Sequence, residues 1–176
     1  GTLNSTQIDV DGSGGGLQQC GVAWGDFDND GDLDILAVGD NGSKQLRVYK
    51  NNGNGTIDPA QIDVDGVGGG LTSAGAAWGD FDNDGDLDIL AVGTDGTNRQ
   101  LRVYRNNGNI SFSPNQIEVD GLNGGLSTGG CAWGDFDIDG DLDILTSGTD
   151  GTNRQLRVYK NQSAVANTAP SAPTTL

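Results

Sequence analysis

An all-β chain of three tandem units, each with four short antiparallel strands, is the fold this sequence predicts. Three observations carry the prediction. One stretch recurs three times, almost letter for letter. Glycine is abundant, 31 of 176 residues, and falls at regular, turn-like spacing. No segment shows helical periodicity bracketed by caps.

The recurring stretch at 23–39 reads AWGDFDNDGDLDILAVG, returns unchanged at 77–93, and returns as AWGDFDIDGDLDILTSG at 132–148. Its tryptophans, Trp24, Trp78 and Trp133, set a period of 54 to 55 residues. QLRVY at 45–49, 100–104 and 155–159 keeps that period. So do Gln-Ile-Asp-Val at 7–10 and 61–64 and Gln-Ile-Glu-Val at 116–119.

Within the first unit each element follows from its residues. Residues 22–27 form a strand that carries Trp24, and an aspartate loop follows. The mostly apolar run 33–38 suits a buried second strand. Asp40-Asn41-Gly42, with Asp95-Gly96 and Asp150-Gly151 later, accepts the positive φ of a type I′ hairpin turn. Residues 45–50 make a third strand, with Leu46 and Val48 on one face and Arg47 and Tyr49 on the other. Turns at Asn52-Gly53 and Asn107-Gly108 lead to a fourth strand at 61–64, and Gly68-Gly69-Gly70 starts the passage to the next unit. Four short strands in a unit of about 50 residues match a β-propeller-type blade.

The units run over about 7–60, 61–115 and 116–162, which makes 1–162 one three-repeat domain. The third unit stops before its fourth strand, while 7–10 supplies a spare one. A propeller uses such an offset to close its ring, but closed rings usually have about four to eight blades. The expectation is therefore an incomplete or intermolecularly completed propeller, or blades arranged in another way. Residues 163–176, rich in Ala, Thr, Ser and Pro, read as a linker-like tail.

Net charge is −16, from 25 acidic and 9 basic residues, which argues against nucleic acid and anionic membrane surfaces as partners. No apolar run is long enough for membrane insertion. The acidity is focused in three windows: Asp26, Asp28, Asp30, Asp32 and Asp34; Asp80, Asp82, Asp84, Asp86 and Asp88; Asp135, Asp137, Asp139, Asp141 and Asp143. Carboxylates so crowded repel unless a cation sits among them.

The spacing suits calcium, which takes about six to eight oxygens at about 2.3–2.6 Å. Carboxylates at loop positions 1, 3 and 5 converge, Gly at 6 permits the sharp turn, the carbonyl at 7 faces the ion, and position 9 adds another oxygen. Three Ca2+ ions are expected, one per unit. The side-chain ligands are Asp26, Asp28, Asp30 and Asp34, then Asp80, Asp82, Asp84 and Asp88, then Asp135, Asp137, Asp139 and Asp143. Asp32, Asp86 and Asp141 contribute carbonyls, with side chains toward solvent. An EF-hand needs a Glu at position 12 and flanking helices; here position 12 is Ala37, Ala91 or Thr146 and strand sequence follows.

The segment Trp-Gly-Asp-Phe-Asp-x-Asp-Gly-Asp-Leu-Asp-Ile-Leu resembles the FG-GAP/VCBS repeats of the integrin α-subunit propeller and of many secreted bacterial proteins, over residues 7–162. The resemblance implies a propeller, loop-bound calcium, extracellular location and roles in adhesion or carbohydrate binding. The chain has fewer units than an integrin and no Arg-Gly-Asp.

Three functions compete. The first is a secreted or cell-surface binding or adhesion module with a protein or carbohydrate ligand. The second is a structural subunit that joins copies of itself head to tail in a fibre by strand exchange. The third is part of a carbohydrate-active enzyme, disfavoured because the chain has no His and no nucleophile motif. Trp24, Trp78 and Trp133 read as core rather than a sugar platform, and Arg47, Arg102 and Arg157 as exposed partners for aspartates. Cys20 and Cys131 share a face in their units and read either as small buried side chains or as a disulfide. Asn4, Asn41, Asn54, Asn109 and Asn161 head sequons for N-glycans.

Overall fold

The structure is a computed structural model that describes residues 6–12, 14–66 and 68–162. Asn4 and the 163–176 tail lie outside the described residues. The first sheet has the order β1 (Gln18–Gly25), β2 (Asp34–Asp40), β3 (Lys44–Tyr49), β4 (Ile62–Asp63). The second repeats it with β5 (Thr72–Gly79), β6 (Asp88–Thr94), β7 (Arg99–Tyr104) and β8 (Ile117–Glu118). The third has three strands, β9 (Cys131–Gly134), β10 (Asp143–Thr149) and β11 (Arg154–Tyr159). All pairings are antiparallel, and equivalent positions keep one register: Trp24 opposite Ile35, Trp78 opposite Ile89, Trp133 opposite Ile144.

The sheets pack face to face, with β1 and β2 against β5, then β5 and β6 against β9. Alternation decides which side chains meet. Leu36, Val38, Leu46 and Val48 face the second sheet, where they meet Ile89, Ala91 and Tyr104. Leu90, Val92, Leu101 and Val103 face the third, where they meet Leu126 and Ile144. The core is therefore two slabs between three sheets. Each inner sheet face is apolar because each is covered by the next unit.

Several expectations change. The hairpin turns carry positive φ at Gly42, Gly96 and Gly151 but at neither preceding residue, so they are not type I′. In the second unit a four-residue loop forms instead, because the Asp95 carboxylate accepts the N–H groups of Thr97 and Asn98 (2.8 and 2.7 Å) and Asp95 N–H donates to the Asn98 carbonyl (3.1 Å). The expected fourth strands shrink to two residues each, and 7–10 forms no strand. Trp78 and Trp133 enter the core as expected. Trp24 is 64% exposed, because no sheet precedes its own. Arg47 and Arg102 are buried rather than exposed: Arg47 pairs with Asp11 and Asp63, Arg102 with Asp65 and Glu118. Both cysteines are free, so no disulfide joins them. Cys20 lies exposed on the first sheet, while Cys131 packs between the second and third, where burial pushes its thiol up to about 12.

Candidate metal centres

Each aspartate loop joins the first two strands of a sheet. Gly31, Gly85 and Gly140, at position 6, adopt φ of 94, 95 and 94°, the left-handed turn that glycine makes without a steric penalty. The position-1 carboxylate holds the turn closed: Asp26 accepts the N–H groups of Asp30 and Gly31, Asp80 those of Asp84 and Gly85, and Asp135 those of Asp139 and Gly140.

The loops gather three of the four expected side-chain ligands. Oxygens of Asp26, Asp28 and Asp34 lie within 4.8 Å of one another, as do those of Asp80, Asp82 and Asp88 and of Asp135, Asp137 and Asp143. The position-5 carboxylates stand outside these triads. Asp30, Asp84 and Asp139 each accept the N–H two residues on, at 3.0 Å, which draws them along the loop. Nor do the position-7 side chains simply face solvent. Asp86 accepts Asn29 Nδ2 from the neighbouring loop at 2.9 Å, and Asp141 is 3% exposed.

The donor set fits a hard divalent cation. Asp28 Oδ1 and Asp82 Oδ1 are buried and lack a hydrogen-bond partner among the described residues. A buried carboxylate oxygen left so is costly unless a cation completes it. Burial also pushes the Asp34, Asp82 and Asp88 carboxyls up, Asp88 to about 6. An ion would favour their charged forms.

Asp34, Asp88 and Asp143 do more than a ligand needs. Each is buried and accepts two backbone N–H groups, one from its own loop and one from beyond the third strand. The donors are Phe27 and Asn51, Phe81 and Asn106, and Phe136 and Asn161, at 2.7 to 3.1 Å. The asparagine then reaches outward. Asn106 Nδ2 donates to the Phe27 carbonyl of the preceding loop at 2.9 Å, and Asn161 Nδ2 to that of Phe81 at 3.4 Å.

A second group escaped the sequence reading. Lys50, Arg105 and Lys160 place cations beside the carboxylates: Lys50 binds Asp28 and, at 3.1 Å, Asp30; Arg105 binds Asp82; Lys160 binds Asp137 at 2.9 Å. Lys160 holds the Asp137 carboxyl below its usual range. The signal was present, since Lys/Arg-Asn follows the closing tyrosine of the third strand in every unit.

The relative Cartilage acidic protein 1 of Xenopus tropicalis is 31% identical over 152 residues, spanning 84% of this chain and 23% of its own length. No solved structure gives a significant match. The family model of the FG-GAP-like repeat matches residues 26–91 and 80–146, each window running from one aspartate loop into the strand after the next. The chain belongs to the FG-GAP-like repeat family.

Proposed function

We propose that the chain is a calcium-stabilised extracellular binding module of the adhesion type, with no catalysis of its own. The observation that carries this reading is the threefold recurrence of one carboxylate triad at one place in each sheet, with buried oxygens unpartnered in two of the three. Three ions there would brace the strands that flank each loop, stabilising the native state because the unfolded chain holds no such triad. The ligand is a protein or carbohydrate at the cell surface. The family and the cartilage relative support the extracellular, adhesion-type setting. Asn41, Asn54 and Asn109 are exposed and fit N-glycans of a secreted chain, whereas the Asn161 amide is engaged across the sheets.

The test is calorimetric titration of chelator-stripped protein with calcium, paired with thermal unfolding. Binding to the native state alone adds about 2.7 kcal/mol per site at a free ion concentration 100-fold above Kd. The expectation is three ions per chain and a large rise in Tm. A melting curve unmoved between EDTA and millimolar calcium overturns the proposal.

A further inference from the structure

We propose that the outer face of the third sheet is the docking surface for the first sheet of a second copy of this chain, joined head to tail. The chain builds this interface twice internally and carries its two separate halves at opposite ends.

The tryptophan and its seat show this most directly. Trp78 lies on Gly25 so closely that a Cβ there would come 2.5 Å from the indole Cδ1, and Trp133 lies on Gly79 in the same way. Gly134 is the corresponding glycine of the third unit, and a Cβ there would meet nothing within 4 Å. Trp24, the corresponding tryptophan of the first, is exposed. Beside Gly134 opens a recess of about 300 Å³ lined by Phe136, Leu145 and Val158. Phe136 and Leu156 are 63 and 73% exposed, where Phe27, Leu46 and Leu101 in the earlier units are fully buried and Phe81 is half-buried. So broad an apolar face on a chain this acidic calls for a cover.

The backbone tells the same story. In the first sheet Ile62 and Asp63 pair with Val48 and Arg47; in the second Ile117 and Glu118 pair with Val103 and Arg102. Both pairs precede the next unit. Ile8 and Asp9 hold that place before the first unit and lie outside any strand, while β11 ends the third sheet with its outer edge unpaired among the described residues. Docking sets Ile8 beside Val158 and Asp9 beside Arg157, which repeats the ion pairs of Arg47 with Asp63 and Arg102 with Glu118. Gly70 and Gly125 press on the backbones of Gln45 and Gln100; Gly16 has open space around it, and Gln155 is the matching strand residue. Asn51 stands where Asn106 and Asn161 cross to the preceding loop, with Phe136 as the matching carbonyl.

A second copy is the partner that presents Ile8, Asp9, Gly16 and Trp24 in this order and spacing. Ser147, in place of Val38 and Val92, and Ile138, in place of Asn29 and Asn83, are the points where the third face departs from the pattern. The contact is heterologous, so copies close a ring or extend a filament.

The experiment is analytical ultracentrifugation of the full chain at fixed calcium over a wide concentration range, with Trp24→Asp and Leu156→Asp variants. Both residues are exposed, so circular dichroism should show the fold unchanged. The expected result is multimers of the unaltered chain, monomers of each variant alone, and a 1:1 dimer on mixing the two, since each retains the face the other has lost. A monomeric unaltered chain, whether covered by its own tail or by further repeats of a longer protein, overturns the proposal. So does an assembly that survives either substitution, or variants that fail to pair when mixed.

Discussion

Alanine placed at three equivalent glycines tests whether tryptophan seating holds the sheets together. At Gly25 the new Cβ would lie 2.5 Å from Trp78 Cδ1 and 2.8 Å from Cγ. The indole cannot slide away, because it stacks with Phe27 and Phe112 at centroid distances of 6.1 and 6.4 Å. Overpacking of this kind costs about 1–3 kcal/mol. At about 2–4 °C per kcal/mol for a chain of this size, Tm should fall by about 2–12 °C. Gly79→Ala meets Trp133 and should behave alike. Gly134→Ala meets nothing, and its loss of unfolded-state freedom should stabilise the chain by about 0.4–1 kcal/mol. Thermal and urea unfolding at constant calcium, in a Leu156→Asp background that keeps the chain monomeric, reads all three. A Gly25→Ala variant as stable as its parent, or a Gly134→Ala variant as damaged as Gly25→Ala, refutes the argument.

Four further perturbations follow from the same geometry. Asp88→Asn keeps the shape but turns an amide donor toward one of the two N–H groups of Phe81 and Asn106, so urea unfolding without metal should lose about 1–3 kcal/mol. Arg102→Met strips the half-buried Asp65 and Glu118 of their cation and should cost about 1–3 kcal/mol, against little for exposed Arg154→Met in the same assay. Ile138 holds φ of 63° where Asn29 and Asn83 hold 59°, and a β-branched residue is strained there, so Ile138→Asn should raise stability by about 1 kcal/mol by differential scanning calorimetry. Burial raises the Asp95 carboxyl, but the N–H groups of Asn98 and Thr97 and the Gln100 amide pull harder and bring it down to about 2 from 3.8. A depressed folded value means the unfolded state binds the proton first. The stabilisation is present above about pH 4 and is lost as pH falls through about 2. Urea midpoints of the parent and Asp95→Asn chains should therefore converge across that window; a constant gap defeats the reasoning.

The sequence made legible what depends on local chemistry. The strands follow from alternation, the loop turn from Gly31 and its equivalents, and the convergence of Asp26, Asp28 and Asp34 from spacing alone. It failed where the neighbour decides. Trp24 and Trp78 stand in the same local sequence, yet one is exposed and one stacked, because only the second has a sheet before it. Arg47 reads as a solvated side chain until the segment carrying Asp11 folds over it. Asp30 sits at a ligand position by count, and the bond that its Oδ1 accepts from the Asp32 N–H is not visible in the letters. Lys50 reads as the end of a strand, and only folding places it against Asp28.

Asp88 is where the loop and the packing become one device. Its two oxygens take the N–H groups of Phe81 and Asn106, so the loop cannot shift without moving Asn106, two residues beyond β7. The Asn106 side chain in turn holds the Phe27 carbonyl of the preceding loop, and Phe27 stacks on Trp78, the residue that seats on Gly25. A change at one loop thus reaches the preceding sheet through four contacts, none of which involves a flexible side chain at a surface. This explains how a chain with only 34% hydrophobic residues keeps three sheets in one register: polar links fix the spacing, and the apolar slabs fill it. It also predicts that Asp88→Asn and Asn106→Ala are not independent. In a double-mutant cycle without metal they should couple by about 0.5–3 kcal/mol, as residues of one network do. Simple additivity would mean that loop and interface are separate, and the chain of contacts from Asp88 to Trp78 would then carry no energy.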